Sequence, residues 1–294
     1  MTSGSKSEQA ALWNGPGGRA WVDEQALLDR MLEPFQELLV AEVAAASPSR
    51  VLDVGCGAGS TTLAVARLLG EAGHCTGVDI SAPLIEAARL RAERDGVPAD
   101  FLLADAQEHA FEPASFDMLI SRFGAMFFDD PVRAFGNLRR AAAAGAALRF
   151  ITWRSAAENP FMTTAERAAA PLLPQLPPRL PDGPGQFSLA DEGRATRILE
   201  QGGWESISLE PIDVVCTLPE KDLMRYVTRL GPLGRIFTEI EERTREKVIE
   251  TVRAAFEPYV HGEVVRVAAA SWMVRARAQA AAAVSRSVAS SALR

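Results

Sequence analysis

Short apolar runs recur through the first half of the chain. They alternate with stretches whose apolar residues return every three or four positions. The runs are Val51 to Val54, His74 to Ile80, Asp100 to Ala104, Phe116 to Ser121 and Ala147 to Trp153. Runs this short and this apolar suit strands buried on both faces. Between them, Thr61 to Leu69, the segment after Ser81 and residues 131–145 each present one apolar face and read as helices. Ser81 is the expected N-cap of the second, Pro83 suits its first turn, and Gly96 supplies its stop. Alternation of strand and helix across such short turns predicts an α/β fold with a doubly wound, mostly parallel sheet.

The flanking segments read differently. Residues 22–46 predict a helix with Leu27, Leu28, Met31, Leu32, Phe35, Leu38 and Leu39 on one face, kinked or divided at Pro34. Before it, Trp13 and Trp21 flank a glycine turn, Gly15-Pro16-Gly17-Gly18. They either anchor a loop to the body or form a flap over a ligand. Residues 156–189 hold seven prolines, with room for a helix near 161–170 and otherwise irregular chain. Because this segment leaves the carboxyl end of a central strand, where open sheets bind ligands, it is expected to shape a substrate pocket. A helix beginning at Ser188 or Asp191 runs to Gly202, a strand covers Ile207 to Leu218, residues 220–258 are helical with a break at Gly231 to Gly234, and Val264 to Ala276 is a final strand. The organisation expected is a helical cover (1–47), a ligand-binding core (48–155), a proline-rich insertion at the pocket (156–189), the remainder of the core with a helical lid at 220–258 (190–277), and a mobile tail (278–294).

The candidate chemistry sits where the first strand meets its helix, at Asp53-Val54-Gly55-Cys56-Gly57-Ala58-Gly59. Glycines at alternate positions permit a tight turn and a close approach of ligand to backbone. The free N–H groups of the helix start favour electron-rich ligand atoms. Asp79, 20 residues after Gly59, ends the second strand, where a carboxylate can accept hydrogen bonds from both ribose hydroxyls of an adenosine. A dinucleotide fingerprint would place its third glycine one residue later, at Ser60. Asp53 is poorly placed beside a pyrophosphate but could orient the loop or approach a cationic ligand.

Four segments in order resemble the motifs of the class I S-adenosylmethionine (SAM) methyltransferases: Leu52-Asp53-x-Gly-x-Gly-x-Gly, Gly77-Val78-Asp79-Ile80-Ser81, Leu103-Ala104-Asp105-Ala106 and Phe116 to Ser121. The resemblance covers about 48–155 well and 190–277 by pattern. It implies a Rossmann-like sheet of seven strands whose last two are antiparallel, so that 220–258 lies inside their hairpin. It also implies SAM as cofactor. Asp53, Gly55, Gly57 and Gly59 would form the loop, Asp79 take the ribose, Ile80 pack on adenine, Asp105 and Ala106 sit at its amino edge and Ser121 stand at the methionine end, with Trp13 or Trp21 near the sulfonium or adenine. Aromatic faces attract such cations. Substrate-pocket candidates are Phe123, Met126, Phe127, Arg154, Glu158, Asn159, Tyr226 and Arg229, each with packing or solvation as the alternative. The broad group implied methylates small molecules, including quinones by C-methylation. The Asn/Asp-Pro-Pro-aromatic sequence of amine and amide methylation is replaced by Ser121-Arg122-Phe123-Gly124.

Composition narrows the partners. A net charge of −7 does not indicate a broad surface for nucleic-acid phosphates. Three scattered cysteines and three histidines form no disulfide framework or metal spacing, so no metal is expected. No apolar run reaches membrane-spanning length, and Met1 to Lys6 lacks a signal core, so the expectation is a cytoplasmic enzyme. Its acceptor is expected to be a small, fairly apolar molecule methylated at O, N or C by in-line displacement. No triad is visible, and no catalytic residue is assigned. Protein or RNA methylation and a non-catalytic SAM-binding scaffold are the alternatives, and a homodimer is one option for assembly.

Overall fold

The computed structural model describes residues 8–176 and 183–279. The expected tail at 278–294 lies almost wholly outside the described residues, as does part of the proline-rich insertion. Five strands, β1 (Arg50–Val54), β2 (His74–Asp79), β3 (Asp100–Leu103), β4 (Phe116–Arg122) and β5 (Ala142–Trp153), pair in parallel in the order β3-β2-β1-β4-β5. Beyond β5 the sheet continues with β8 (Val264–Ala278) and ends on β6 (Trp204–Pro219), both antiparallel to their neighbours. A two-residue strand, β7 (Val260–His261), pairs with β8, making eight strands rather than seven.

The apolar runs of the sequence bury both sheet faces. Val51, Met118 and Ile120 face α4 (Ser60–Leu69) and α5 (Ala82–Asp95), together with the end of α3 (Gln25–Ala46). Leu52, Val54, Leu119, Leu148 and Phe150 face α6 (Pro131–Ala141) and α8 (Glu192–Gln201). A third apolar cluster lies over the carboxyl ends of β4 and β5 and the amino-terminal half of β8. There α3, with α7 (Phe161–Ala169), α9 (Leu223–Arg229), α10 (Gly231–Ile236) and α11 (Glu242–Phe256), covers Phe123, Ile151 and Trp153. Helices α9 to α11 connect β6 to β8, so the helical block does lie within the antiparallel hairpin.

Several local expectations are corrected. The tryptophan-glycine segment is a helix pair, α1 (Glu8–Asn14) and α2 (Pro16–Asp23), joined at Gly15. Its glycines permit tight packing: a Cβ at Gly18 would fall 1.9 Å from the Trp13 carbonyl oxygen. Pro34 lies inside a continuous α3 and does not divide it. Ser81 does not cap α5 with its side chain; its Oγ donates to the Trp13 carbonyl, and the Asn14 Oδ1 accepts from Ala82 N–H instead. The helix at 131–145 stops at Ala141, and Ala142 already belongs to β5. The lid break falls at Leu230, since Gly231, with φ +69°, opens α10.

Candidate active site

A cleft lies at the carboxyl end of β1, between the glycine loop and α2–α3. Asp53, Gly55, Cys56, Gly57, Ala58, Ser60 and Thr61 form its floor. Trp21, Gln25, Leu28, Asp29 and Leu32 roof it, and Arg122 and Phe123 close one side.

The three glycines do different things. Gly55 and Gly124 cross backbone to backbone: a Cβ on Gly55 would sit 2.6 Å from the Gly124 Cα. Gly59, with φ +81°, abuts the Phe101 ring and Ala88 Cβ, so it sets the packing of α5 against the loop. At Gly57 a Cβ would meet no protein atom within 4 Å. Gly57 is therefore open to a ligand, and its φ of +55° turns the loop around that opening.

Two carboxylates organise the loop, Asp53 buried and Asp79 half-buried. Asp79 accepts from Gly57 N–H at 2.8 Å and from Ser81 N–H at 2.9 Å. Burial raises its pKa, against the pull of these backbone donors. Asp53 accepts from the Thr62 hydroxyl at 2.7 Å, and burial pushes its pKa up to about 6. Thr61 Oγ1, also lining the cleft, is buried with no hydrogen-bond partner among the described residues. An open glycine, a buried carboxylate with unused lone pairs and an orphaned hydroxyl fit a polar, partly cationic ligand such as SAM.

The remaining expected positions separate into those near the cleft and those elsewhere. Trp21 lines it, whereas Trp13 packs edge-on against Trp21 and Phe127 at 5.7 and 5.2 Å between centroids. Ile80, partly buried, holds Asn14 through its carbonyl, so β2 is tied to the N-terminal cover. Asp105 accepts from Gln107 N–H, and Ala106 accepts from Asn137 Nδ2. Both stand in the turn after β3, away from the lining of the cleft. Phe123 has φ +62°, strained for an aromatic residue, and stacks flat on Trp153 at 4.0 Å.

Seven further candidates are engaged within the protein. Ser121 is not free for a ligand, because its hydroxyl donates to the Val54 carbonyl and accepts from Ala125 N–H. Asn159 is fully buried and bridges to β8, accepting from Ala270 N–H and donating to the Ala270 carbonyl, both at 2.8 Å. Arg154 and Glu158 pair with each other, and Arg154 also reaches Asp213 at 3.0 Å, outside the cleft. Met126 is buried in the lid cluster, against which Tyr226 also packs. Arg229 binds Asp23 and Glu24 at the α2–α3 junction.

The sequence reading missed Gln25, Asp29 and Arg91. Asp29 accepts from Gln25 and Arg91, both at 2.8 Å, and Arg91 also holds the Ala58 carbonyl at 2.7 Å. The signal available was polar residues on the otherwise apolar face of α3.

Residues 51–145 match a family model described as a methyltransferase domain. Aklanonic acid methyltransferase DauC of Streptomyces sp. (strain C5) is 34% identical over 30% of this chain and 40% of its own length. Demethylmenaquinone methyltransferase of Thermus thermophilus is 34% identical over 35% of this chain and 46% of its own. The chain thus spans under half the length of these curated relatives. Among solved structures, the [4+2]-cyclase SpnF shares the fold with a TM-score of 0.54 at 20% identity, over 90% of this chain and 95% of that one. Among the described residues no helix is long and apolar enough to cross a membrane, and no group of side chains is arranged to hold a metal ion. The chain thus carries, at residues 51–145, a methyltransferase domain of the S-adenosylmethionine-dependent type.

Proposed function

We propose that this protein moves a methyl group from SAM to an oxygen, nitrogen or carbon nucleophile of a small, fairly apolar molecule. The observation that carries the reading is the open face of Gly57 beside the half-buried Asp79 and the buried Asp53, under a roof of helices. When bound, SAM supplies a methyl group already activated by its sulfonium, so the protein's task is alignment and exclusion of water. The Asp79 carboxylate is the candidate ribose acceptor, with Ile80, Asp105 and Ala106 toward the adenine. Trp21 and Phe123 offer aromatic faces where a sulfonium would lie. The apolar cluster of Phe123, Trp153, Phe161 and the lid helices supports an apolar acceptor. So do the small-molecule relatives named above, while a net charge of −7 speaks against nucleic acid. A cover (1–47), a core (48–155 and 190–277), an insertion (156–189) and a lid (220–258) are the working division. Neither His109, packed edge-on against Phe111, nor His261, on β7, lines the cleft, so no side chain is assigned as general base.

Calorimetric titration with SAM, S-adenosylhomocysteine and NAD tests the cofactor. Binding of the first two and not the third is expected; binding of NAD alone overturns the reading. Incubation with SAM and a panel of apolar phenols, amines and enols, read by mass, then tests transfer. A protein that binds SAM and methylates nothing in the panel or in a cell extract would be a scaffold.

A further inference from the structure

Arg122 has no role in the account so far, yet it ends β4 inside the cleft. Of the residues lining the cleft it alone carries a positive charge, facing a floor and roof that contribute Asp53 and Asp29. Its environment is unusual for a guanidinium. Nη1 reaches the Leu32 carbonyl at 3.4 Å, a long contact, and that is its one hydrogen bond among the described residues. Asp29 is already held by Arg91 and Gln25, and Asp53 by Thr62. Both carboxylates act on Arg122 through space without pairing with it. A planar fork of five donors is left with most of its hydrogen bonds unmade. Such a group in an enclosed cleft calls for an anion, and bidentate pairing with a carboxylate satisfies it best.

Resting on the SAM reading, we propose that Arg122 is the anion receptor of this cleft and binds the amino-acid carboxylate of the cofactor. The charges of the cleft match a zwitterion. Asp53 offers a negative end for an ammonium group, and Arg122 a positive one for a carboxylate. Without Arg122 the carboxylate would face Asp29 and Asp53 unopposed. The location favours the cofactor over an acceptor anion, because Arg122 shares the cleft with Gly55, Cys56 and Gly57 rather than with the lid helices.

The test compares two ligands on wild type and Arg122→Gln by calorimetry: S-adenosylhomocysteine, and its decarboxylated analogue, which keeps the adenosine, thioether and amine. Wild type is expected to prefer the carboxylated ligand. Arg122→Gln is expected to lose about 10- to 100-fold in affinity for it while changing little toward the analogue. Arg122→Lys keeps the charge without the fork, and should recover part of the loss; it also serves if the glutamine variant does not fold. Equal losses for both ligands would mean that Arg122 merely shapes the cleft and would overturn the proposal. No loss for either would also overturn it, leaving the carboxylate to the amides of α4. A raised acceptor KM with unchanged cofactor affinity would assign Arg122 to the acceptor instead. Failure of wild type to bind either ligand would be a failure of the SAM reading itself, separate from these results.

Discussion

Asp53→Asn should make the protein more stable at neutral pH while weakening its hold on SAM. Asp53 is almost wholly buried, and the Thr62 hydroxyl donates to it at 2.7 Å. Burial raises its pKa from an ordinary 3.8 to about 6, with Thr62 and Arg122 pulling the other way. In the unfolded chain the carboxyl ionises near 3.8, so between these values the folded state binds more protons than the unfolded one. Stability therefore falls as pH rises through this window and is flat above it. A separation of about two pH units corresponds to ~3 kcal/mol of destabilisation at pH 7 and above. Asparagine removes that term, and its Oδ1 still accepts from Thr62 while its amide faces the cleft. Urea denaturation of both proteins at pH 4, 5, 6, 7 and 8 reads the effect directly. The variant should gain with rising pH, level off above about 6.5, and lose its advantage near 4. In parallel, wild-type affinity for SAM should rise as pH passes 6, since the ionised carboxylate attracts the ligand's cationic groups, and the variant should lack that dependence. A variant less stable than wild type by a constant amount at every pH would refute the reasoning, because the cost would then be packing and not a buried charge.

Other perturbations test the loop and its supports. Asp79→Ala strips the acceptor from Gly57 and Ser81 N–H, and should weaken S-adenosylhomocysteine binding by roughly 1.5–3 kcal/mol; unchanged affinity in calorimetry would place the ribose elsewhere. Gly57→Ala and Gly59→Ala should separate binding from folding. The first meets no protein atom and should fold with a penalty of about 1 kcal/mol for its φ, yet lose the ligand. The second drives a methyl to 2.9 Å from the Phe101 ring and should cost about 3 kcal/mol in a urea melt. Asn159→Ala breaks the two-way bridge to Ala270 and should cost about 2–4 kcal/mol while leaving S-adenosylhomocysteine affinity within twofold of wild type; a larger change would return Asn159 to the site.

The core was legible because its signals are local. Val51 to Val54 and Phe116 to Ser121 are mostly apolar, as strands covered on both faces must be, and the spacing of Gly59 to Asp79 reflects one helix and one strand. What failed to show was side-chain direction and partnership across the chain. Ser121 and Asn159 follow strands at the ligand-binding edge, which gives their neighbourhood. Their hydrogen bonds to Val54 and Ala270, however, arise only when distant strands meet. Asn14 capping α5 is a contact 68 residues apart, invisible to any rule about neighbours in sequence, so Ser81 looked like the cap. The helices at 8–23 were hidden by Gly17 and Gly18, which serve close packing beside the short turn at Gly15. Arg122 stands in the sequence directly after the fourth apolar run, but its want of a partner appears only once Asp29 is seen committed to Arg91.

The helical block between β6 and β8 leaves and re-enters the sheet at one rung. Pro219 pairs with Val264, and Glu220 N–H donates to the Glu263 carbonyl at 2.8 Å. The two ends of the block are thus fixed side by side by the sheet, whatever lies between them. Because the entropy of closing a loop grows only slowly with its length, segments of quite different size can be mounted there at similar cost to the fold. The arrangement is a socket: residues 221–262 hang from one rung of the sheet, apart from Asp53, Asp79 and the glycine loop.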